Sequence, residues 1–209
     1  MFVIDYFKNR DKKIATPVSI LMRHAHRDPI SKSSFGNEVE LNSKGIEESI
    51  KLSKILKNYP LRLISSPVKR CVQTAKLIMG DREGNVEKTS LLGDPGVFIN
   101  NPKIAGYAFL ENSVSEVVRW LLSRQKNPLG FYQDTSKQVD ILLDELKNAL
   151  DIPGVHIYIT HDSILSIVLG EMFGSKEVEK IWPDYLEGVI LLPHENRFKM
   201  LYRDQSCYL

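Results

Sequence analysis

The chain contains 209 residues, of which 43% are hydrophobic and 26% are charged, a balance typical of a folded globular protein. Its 28 basic and 26 acidic residues leave a net charge of +2, which excludes the strongly basic surface that nucleic acids or anionic membranes require. No apolar run is long enough to span a membrane, and 1–17 places its apolar residues before its charges, the reverse of a secretory signal. We therefore expect a cytoplasmic protein with one domain over 1–209.

Short apolar runs alternate with amphipathic segments along the chain. The apolar runs are bounded by turn residues, which is typical of buried strands, and they cover 17–22, 61–64, 155–159 and 189–192. Apolar residues at helical spacing predict helices over 43–58, 67–80, 113–124, 135–150 and 163–174. Asn42 is expected to cap the first of these helices, and Thr135 with Gln138 forms the pattern of a capping box at the fourth.

This alternation predicts an α/β fold, a three-layer sandwich with helices on both faces of a mainly parallel sheet. The last two strands, 186–192 and 198–202, are separated by a short turn-rich segment that favours an antiparallel hairpin, so the central sheet should be mixed. Between 100 and 131, Asn, Pro and Gly residues surround one amphipathic helix. We expect a helical insertion here, at about 100–135, that folds over the site as a cap.

Two arginines and two histidines follow the first predicted strand in the order Arg23, His24, Ala25, His26, Arg27. Ligands of open α/β sheets bind at the carboxyl ends of strands, where this loop should lie. Because arginine presents several donors in a planar fork, two converging arginines can orient a phosphate and hold a histidine against it. The alternative is that these arginines are solvated loop charges and that His24 is a buried structural histidine.

Further polar segments follow two other predicted strands. Arg70 falls in the first turn of a helix, where free amides and the helix dipole also favour an anion. His161 and Asp162 directly follow the strand at 155–159. The segment 41–45, with the sequence Leu-Asn-Ser-Lys-Gly, begins the first long helix. Together, these segments predict an anion-binding pocket at one edge of the sheet.

In this order, the segments 23–25, 41–45, 66–75 and 161–162 resemble the histidine phosphatase superfamily. Its members carry an Arg-His-Gly loop, a Leu-Thr-x-x-Gly helix start, a Ser-x-x-x-Arg-x-x-Gln-Thr-Ala segment and a late histidine after a strand. The resemblance implies a phosphoglycerate mutase-like fold. It also implies that His24 is a nucleophile and that no cofactor or metal takes part. Around the transferred phosphoryl group it places Arg23, Arg27, Arg70 and His161.

These implied roles agree with elementary chemistry. An imidazole attacks only when it is neutral, and nearby cationic arginines keep a histidine neutral near physiological pH. The same arginines stabilise the equatorial oxygens during in-line phosphoryl transfer.

Two positions depart from the family pattern. Ala25 replaces the glycine of the Arg-His-Gly loop, which would be strained if the backbone there had a positive φ. Ile99 stands where some small phosphatases carry the glutamate that protonates the leaving oxygen, and isoleucine cannot donate a proton. The general acid is therefore predicted to be Asp162, with Asp94 as the alternative and Glu111 third. Asp162 could instead serve only to cap a helix, and Asp94 only to form a turn.

The sequence predicts a phosphatase that hydrolyses phosphomonoesters through a phosphohistidine on His24. The loop 27–29, Arg-Asp-Pro, and the pair His161 and Asp162 resemble the acid phosphatase branch and favour hydrolysis. A phosphomutase of the same fold is the nearest alternative. A catalytically weak module that binds a phosphorylated ligand is the second, motivated by Ala25 and Ile99. The expected partner is a small phosphomonoester or a phosphorylated protein.

Other aromatic and histidine residues have less specific expectations. His156 and His194 are expected at the surface, and His26 is expected to be exposed or in contact with the substrate. Four aromatic residues could either line an apolar wall over the pocket or pack in the core. They are Tyr107, Phe109, Trp120 and Phe131.

Overall fold

The computed structural model describes residues 2–9, 16–31, 36–123, 130–174 and 177–209. The strands are β1 (Val18–Arg23), β2 (Leu61–Ser65), β3 (Val86–Lys88), β4 (Val155–Thr160), β5 (Gly188–His194), β6 (Arg197–Tyr202) and β7 (Gln205–Tyr208). The helices are α1 (Phe2–Asn9), α2 (Ser43–Ile55), α3 (Lys69–Met79), α4 (Pro102–Glu111), α5 (Val114–Leu122), α6 (Thr135–Ala149), α7 (Asp162–Phe173) and α8 (Val178–Ile181). In these ranges, no helix has the length and apolar character needed to cross a membrane.

All seven strands belong to one sheet in the order β3-β2-β4-β1-β5-β6-β7. The first four strands run parallel to one another, and β5 pairs antiparallel with β1. β6 and β7 extend this antiparallel edge. The predicted mixed, mainly parallel sheet and the predicted hairpin of β5 and β6 are therefore confirmed, whereas β3, β7 and α1 were not predicted.

The side chains of β1 alternate between two hydrophobic cores, as the pleat of a strand requires. Ile20 and Met22 point to a core covered by α1, α2 and α3. Leu21 points to the opposite core, which is covered by α4 to α8. Helices thus cover both faces of the sheet, which confirms the three-layer sandwich.

Of the two predicted helix caps, one is confirmed and the other is wrong. The Asn42 side chain accepts a 3.0 Å hydrogen bond from the Gly45 amide and caps α2 as predicted. At α6, however, the cap is Asp134, whose carboxylate accepts the amides of Ser136 and Lys137. Thr135 is already helical and buried, and its hydroxyl donates to Glu171. The capping box predicted at Thr135 was therefore wrong.

The segment predicted to hold one amphipathic helix holds two, α4 and α5. The Asn101 side chain accepts the Ile104 amide, and Pro102 occupies the first position of α4, so this helix has its own start signals. Ser113 and Glu116 form a capping box that begins α5. Residues 124–129, which include the predicted end of the helix at Arg124, lie outside the described residues. The assignment of about 100–135 as a cap within a single domain stays a prediction.

Candidate active site

Polar residues gather at one edge of the sheet because β1, β2 and β4 are parallel neighbours. Arg23 pairs with Thr160, and Ser65 pairs with Ile159, so the three strands end at the same level. The next residues along the chain, His24, Ser66 and His161, therefore emerge side by side. β5 is antiparallel and begins opposite Met22, which brings the loop before Gly188 to the same edge.

His24 is held with one ring nitrogen protonated and the other carrying a lone pair. Its Nδ1 lies 2.8 Å from the Ala25 carbonyl oxygen, which can only accept a hydrogen bond, so Nδ1 is the donor. Its Nε2 accepts a 3.0 Å hydrogen bond from Nε of Arg70. Burial lowers the pKa of His24 well below its ordinary value, and the positive charge of the neighbouring Arg70 lowers it further. The imidazole is therefore neutral at physiological pH.

His161 is a second neutral imidazole at this edge. Its Nδ1 lies 3.2 Å from Nη2 of Arg70, and its Nε2 lies 3.1 Å from the Ser66 hydroxyl. Because a guanidinium can only donate, Nδ1 accepts and Nε2 donates to Ser66. Burial and the charges of the nearby arginines lower the pKa of His161 to about 3. The ring centroids of His24 and His161 are 5.6 Å apart.

The backbone of Gly93 packs directly against the His161 ring. A Cβ at this position would lie 2.5 Å from two ring atoms, and the φ of +137° is also one that side chains rarely adopt. Any larger residue at position 93 would therefore displace the histidine.

Three contacts fix the guanidinium of Arg23, which is 7% exposed. Nη1 donates to the Pro183 carbonyl at 2.8 Å, and Nη2 forms a 2.6 Å ion pair with Oδ2 of Asp162. The Tyr185 ring lies 3.9 Å from the guanidinium carbon, at cation–π distance. Within the described part of the chain, the buried Nε has no hydrogen-bond partner.

The two other predicted phosphate ligands, Arg70 and Arg27, differ in position. Arg70 is 7% exposed and bridges both histidines, while its Nη1 donates to the Gly36 carbonyl at 2.7 Å. Arg27 is only half-buried and lies in the wall of the adjoining cleft, where Nη1 donates to the Asp28 carbonyl. Arg70 therefore joins His24 and His161, Arg23 pairs with Asp162 at the same edge, and Arg27 lines the cleft.

Side chains from α3 hold the first loop in place. The Thr74 hydroxyl accepts the Ala25 amide at 3.0 Å, and the Gln73 side chain accepts the Leu41 amide at 3.0 Å. A Cβ on Gly45 would lie 2.1 Å from the His26 carbonyl oxygen, so this loop crosses the start of α2 in direct backbone contact. The Gln-Thr-Ala and Leu-Asn-Ser-Lys-Gly segments thus position the loop that carries His24.

Ala25 does not carry the strain considered from the sequence. Among the described non-glycine residues, positive φ values occur at Asp94, Leu186, Glu195 and Arg203, and not at Ala25. The Ala25 methyl group is fully buried in the core below α2 and α3. Alanine therefore fits this position without a conformational penalty.

The three candidate acids occupy different places around the cleft. Oδ1 of Asp162 accepts the Ser163 amide at 2.9 Å, and Oδ2 pairs with Arg23, so the carboxylate is both a helix-start acceptor and an ion-pair partner. Asp94 is exposed in the cleft with a φ of 58°, and Glu111 is exposed at the end of α4. Ile99 also lines the cleft. Asp162 is the acid that lies beside His161 in sequence and contacts Arg23.

Several residues at this edge were not predicted from the sequence. Glu187 is buried, accepts two 2.8 Å hydrogen bonds from Arg203 and also accepts the Asp184 amide. Arg203 donates further to the carbonyl of Trp182, so this pair fixes the loop that carries Pro183 and Tyr185 to Arg23. No local sequence pattern marks these residues, because the partners are joined only by the fold.

The remaining histidine and aromatic predictions had mixed outcomes. His156 is 2% exposed, which corrects its predicted surface position: it lies within β4, between two covered faces. His26 is half-buried and lies against Glu48 and Tyr185. Phe109 lines the cleft and Phe131 is fully buried in the core. His194 and Trp120 are half-buried, whereas Tyr107 is exposed.

A cleft of about 900 Å³ adjoins this cluster. Arg27, Arg70, His161 and Asp162 line it together with residues of α4 and α5. His24 lies behind Arg70 and is 1% exposed. Within the described residues, no group of three or more His, Cys, Asp or Glu side chains is placed to hold a metal ion.

The three-layer α/β fold and this cluster of arginines and histidines agree with the family that the sequence motifs indicate. The profile of the histidine phosphatase superfamily (branch 1) matches residues 19–201, and the chain belongs to this superfamily. No curated protein matches the chain.

Solved structures of low sequence identity share the phosphoglycerate mutase-like fold. A phosphoserine phosphatase variant from Entamoeba histolytica, in complex with phosphoserine, has a TM-score of 0.60 and 16% identity, covering 88% of this chain and 94% of that chain. A mycobacterial glucosyl-3-phosphoglycerate phosphatase has a TM-score of 0.58 and 15% identity, covering 90% and 99%. A phosphoglycerate mutase from Bacillus anthracis has a TM-score of 0.56 and 16% identity, covering 90% and 94%.

Proposed function

We propose that this protein hydrolyses phosphomonoesters through a phosphohistidine intermediate on His24. The observation that carries the proposal is the state of His24: its Nδ1 is fixed as a donor by the Ala25 carbonyl, which leaves a lone pair on Nε2. That nitrogen lies among Arg70, His161 and Arg23, the groups best able to stabilise a phosphoryl dianion. The proposed substrate is a small phosphomonoester or a phosphorylated protein.

Reaction requires that Arg70 exchange one hydrogen bond. Its Nε–H donates to His24 Nε2 in the absence of substrate, and a phosphoryl oxygen would accept that hydrogen instead. The freed Nε2 lone pair then forms a bond to phosphorus as the bond from phosphorus to the ester oxygen breaks. Water then attacks the phosphohistidine and gives its proton to the carboxylate that protonated the leaving oxygen. The bond between Nε2 and phosphorus breaks, its electron pair returns to Nε2, and inorganic phosphate is released. Within the described residues, the Nε–H groups of Arg23 and Arg27 have no hydrogen-bond partner, and they can donate to the remaining phosphoryl oxygens.

The leaving oxygen needs a proton, and we propose that Asp162 supplies it, with Asp94 as the alternative. Asp162 lies in the cleft wall beside His161, as the departing group requires. In the absence of substrate, Oδ2 of Asp162 pairs with Arg23 at 2.6 Å. A bound phosphoryl group would compete with Asp162 for Arg23, which couples substrate binding to the release of this carboxyl group for the acid step.

The proposed nucleophile is tested by rapid quenching with a ³²P-labelled phosphomonoester. We expect a label on the protein that survives alkali and is lost in acid, as a phosphoramidate bond requires, and its absence in His24→Ala. Turnover of His24→Ala should fall by at least about 10⁴-fold. His26→Ala is the matched control, because its half-buried ring faces Glu48 and Tyr185 rather than Arg70. Full activity in His24→Ala would reject this nucleophile.

The burial of His24 beneath Arg70 favours a second candidate function, a weakly catalytic module that binds a phosphorylated ligand. Only 1% of His24 is exposed, and Arg70 occupies the nitrogen that must attack. In such a module, phosphate esters would bind at Arg23, Arg27 and Arg70 without labelling His24. A phosphomutase would instead give a label that passes to a second hydroxyl faster than to water, so chasing the labelled protein with alcohols separates the three functions.

A further inference from the structure

The cleft extends well beyond the space that a phosphoryl group fills. Its volume is about 900 Å³, within the range of sites that bind entire drug-sized ligands. Arg27, Arg70 and His161 line it where the parallel strands end, and residues of helices α4 and α5 line it as well. A substrate held by its phosphoryl group at the arginine end would therefore place its alcohol part along these helices.

The side chains along this extension are predominantly apolar. We call the following six residues the apolar wall: Ile99, Ala105, Phe109, Leu110, Val114 and Val118. Ala105 and Val118 are anchored in the core, whereas Leu110 and Val114 are 38% and 39% exposed. Exposed aliphatic side chains that converge on a cleft beside a polar site favour an apolar ligand over water.

The charges of the extension would disfavour a second anionic group. Among the described residues that line the cleft, the basic side chains are Arg27 and Arg70, both at the phosphoryl end. Helices α4 and α5 contribute Glu111 and Glu116 to the lining. The Glu116 carboxylate accepts hydrogen bonds from the Ser113 hydroxyl and amide, which lower its pKa and keep it ionised. A carboxylate or second phosphate there would meet two acids and no cation from these residues.

We propose that the substrate is the phosphomonoester of an apolar alcohol, alkyl or aryl, without a second anionic group. This inference rests on the proposed function for the position of the phosphoryl group. It places phosphoserine and phosphoglycerate, which carry carboxylates, among the poor substrates. The apolar wall would bind the alcohol part and the arginines would bind the phosphoryl group.

Binding of alkylphosphonates tests this proposal independently of turnover, since their bond between carbon and phosphorus does not hydrolyse as an ester does. Titration calorimetry with a series from ethyl to octylphosphonate should give a Kd that falls about twofold to fourfold for each methylene group buried. Octylphosphonate should then bind at least about tenfold more tightly than ethylphosphonate. A carboxyethylphosphonate should bind at least about tenfold more weakly than propylphosphonate, because its carboxylate faces Glu111 and Glu116.

A cation introduced into the apolar wall should weaken both preferences. Leu110 lies in the last turn of α4, where lysine is compatible with the helix dipole. Leu110→Lys should reduce the preference for octyl over ethylphosphonate by about threefold or more and strengthen binding of carboxyethylphosphonate. Ile141→Lys is the matched control on α6, because Ile141 is 42% exposed and does not line the cleft. It should leave both ratios unchanged.

The outcomes separate this inference from the proposed function. Equal Kd values for ethyl and octylphosphonate, or tighter binding of carboxyethylphosphonate than of propylphosphonate, would overturn the apolar inference whatever the turnover. Hydrolysis of the corresponding alkyl phosphates is measured in parallel. If the phosphonate series shows the expected trend but no ester is hydrolysed and His24 is not labelled, the apolar site stands and the phosphatase function is rejected.

Discussion

The two sides of the cleft are built by different means. The polar floor, which consists of Arg23, His24, Arg70 and His161, is buried, and directional contacts of 2.6–3.2 Å hold its side chains. Arg70 hydrogen-bonds both histidines, and Arg23 pairs with Asp162. The apolar wall has two side chains that are more than a third exposed, and its packing is nondirectional. Parallel strand ends fix the floor, whereas two short helices carry most of the wall.

This difference separates the chemistry from the choice of alcohol. Directional hydrogen bonds hold atoms within tenths of an ångström, as phosphoryl transfer requires, so changes in the floor should affect every ester alike. Apolar contacts contribute in proportion to the area they bury, so changes in the wall should affect esters according to their alcohol. The predictions below test this separation, from the largest expected effect to the smallest.

The largest effect in this comparison is expected at Asp162, where a substitution should reduce turnover by a factor that depends on the leaving group of the ester. Asp162→Asn keeps the shape and still accepts the Ser163 amide, but it cannot protonate an alkoxide. Turnover of an alkyl phosphate should fall by about 10²–10⁴-fold, and that of an aryl phosphate with a good leaving group much less. Steady-state kinetics on both esters, with Asp94→Asn as the comparison, measures this. Equal losses on both esters would instead make Asp162 a positioning residue for Arg23.

The floor contains two buried neutral histidines, so acid should destabilise the fold. The folded-state pKa values of His24 and His161 lie below the unfolded value of about 6.5. Their contribution to stability is present above pH of about 6.5 and is lost as the pH falls, because the unfolded chain then binds more protons. The free energy of unfolding should fall by about 3 kcal/mol from pH 7.5 to 5.5.

Urea denaturation in phosphate-free buffer across this range tests the histidine prediction. Burial also lowers the pKa of His156, so His156→Gln is the reference that removes a contribution from outside the site. The decline should persist in this variant. A flat profile in His156→Gln would mean that the two site histidines are not held neutral.

The floor should also depend on a distant ion pair. Arg203→Met leaves the Glu187 carboxylate, which is 8% exposed, without its main partner, and should reduce the free energy of unfolding by about 2 kcal/mol. Because the loop carrying Pro183 and Tyr185 then loosens around Arg23, the Kd for inorganic phosphate should rise roughly tenfold.

Arg62→Met is the matched control for Arg203→Met. Arg62 and Glu87 form a similar bidentate pair, but their side chains are 41% and 53% exposed. Its loss should cost less than about 1 kcal/mol and leave phosphate binding unchanged. Similar phosphate affinities in both variants would show that the floor does not rely on this loop.

The smallest effect is expected at Ala25. Ala25→Gly restores the residue common in the family, but the position has no positive φ and its methyl group is buried. The substitution should therefore destabilise the fold by about 1 kcal/mol and change turnover by less than about twofold. Thermal unfolding and steady-state kinetics measure both quantities. A tenfold gain in turnover would show that the methyl group obstructs the floor.

Much of the floor could be predicted from the sequence because its signals are local. Apolar runs locate the strands, and strands that alternate with helices run parallel, so the residues after β1, β2 and β4 must meet at one edge. The placement of His24, Arg70 and His161 follows from this rule. The signal for the Asn42 cap is equally local. The prediction of a cap at Thr135 was wrong because Asp134, one residue earlier, caps the helix instead.

Only the tertiary structure decided the contacts between distant parts of the chain. Arg23 meets Pro183 across 160 positions, and the Tyr185 ring and the Glu187–Arg203 pair reach the site because β5 runs antiparallel beside β1. The hydrogen bond from Arg70 to His24 and the ion pair between Asp162 and Arg23 depend on side-chain positions in the folded protein. The spacing of these residues along the sequence does not predict such contacts. The apolar wall could not be predicted either. Helical periodicity identifies the apolar residues of a helix but does not show whether they face the core or a cleft.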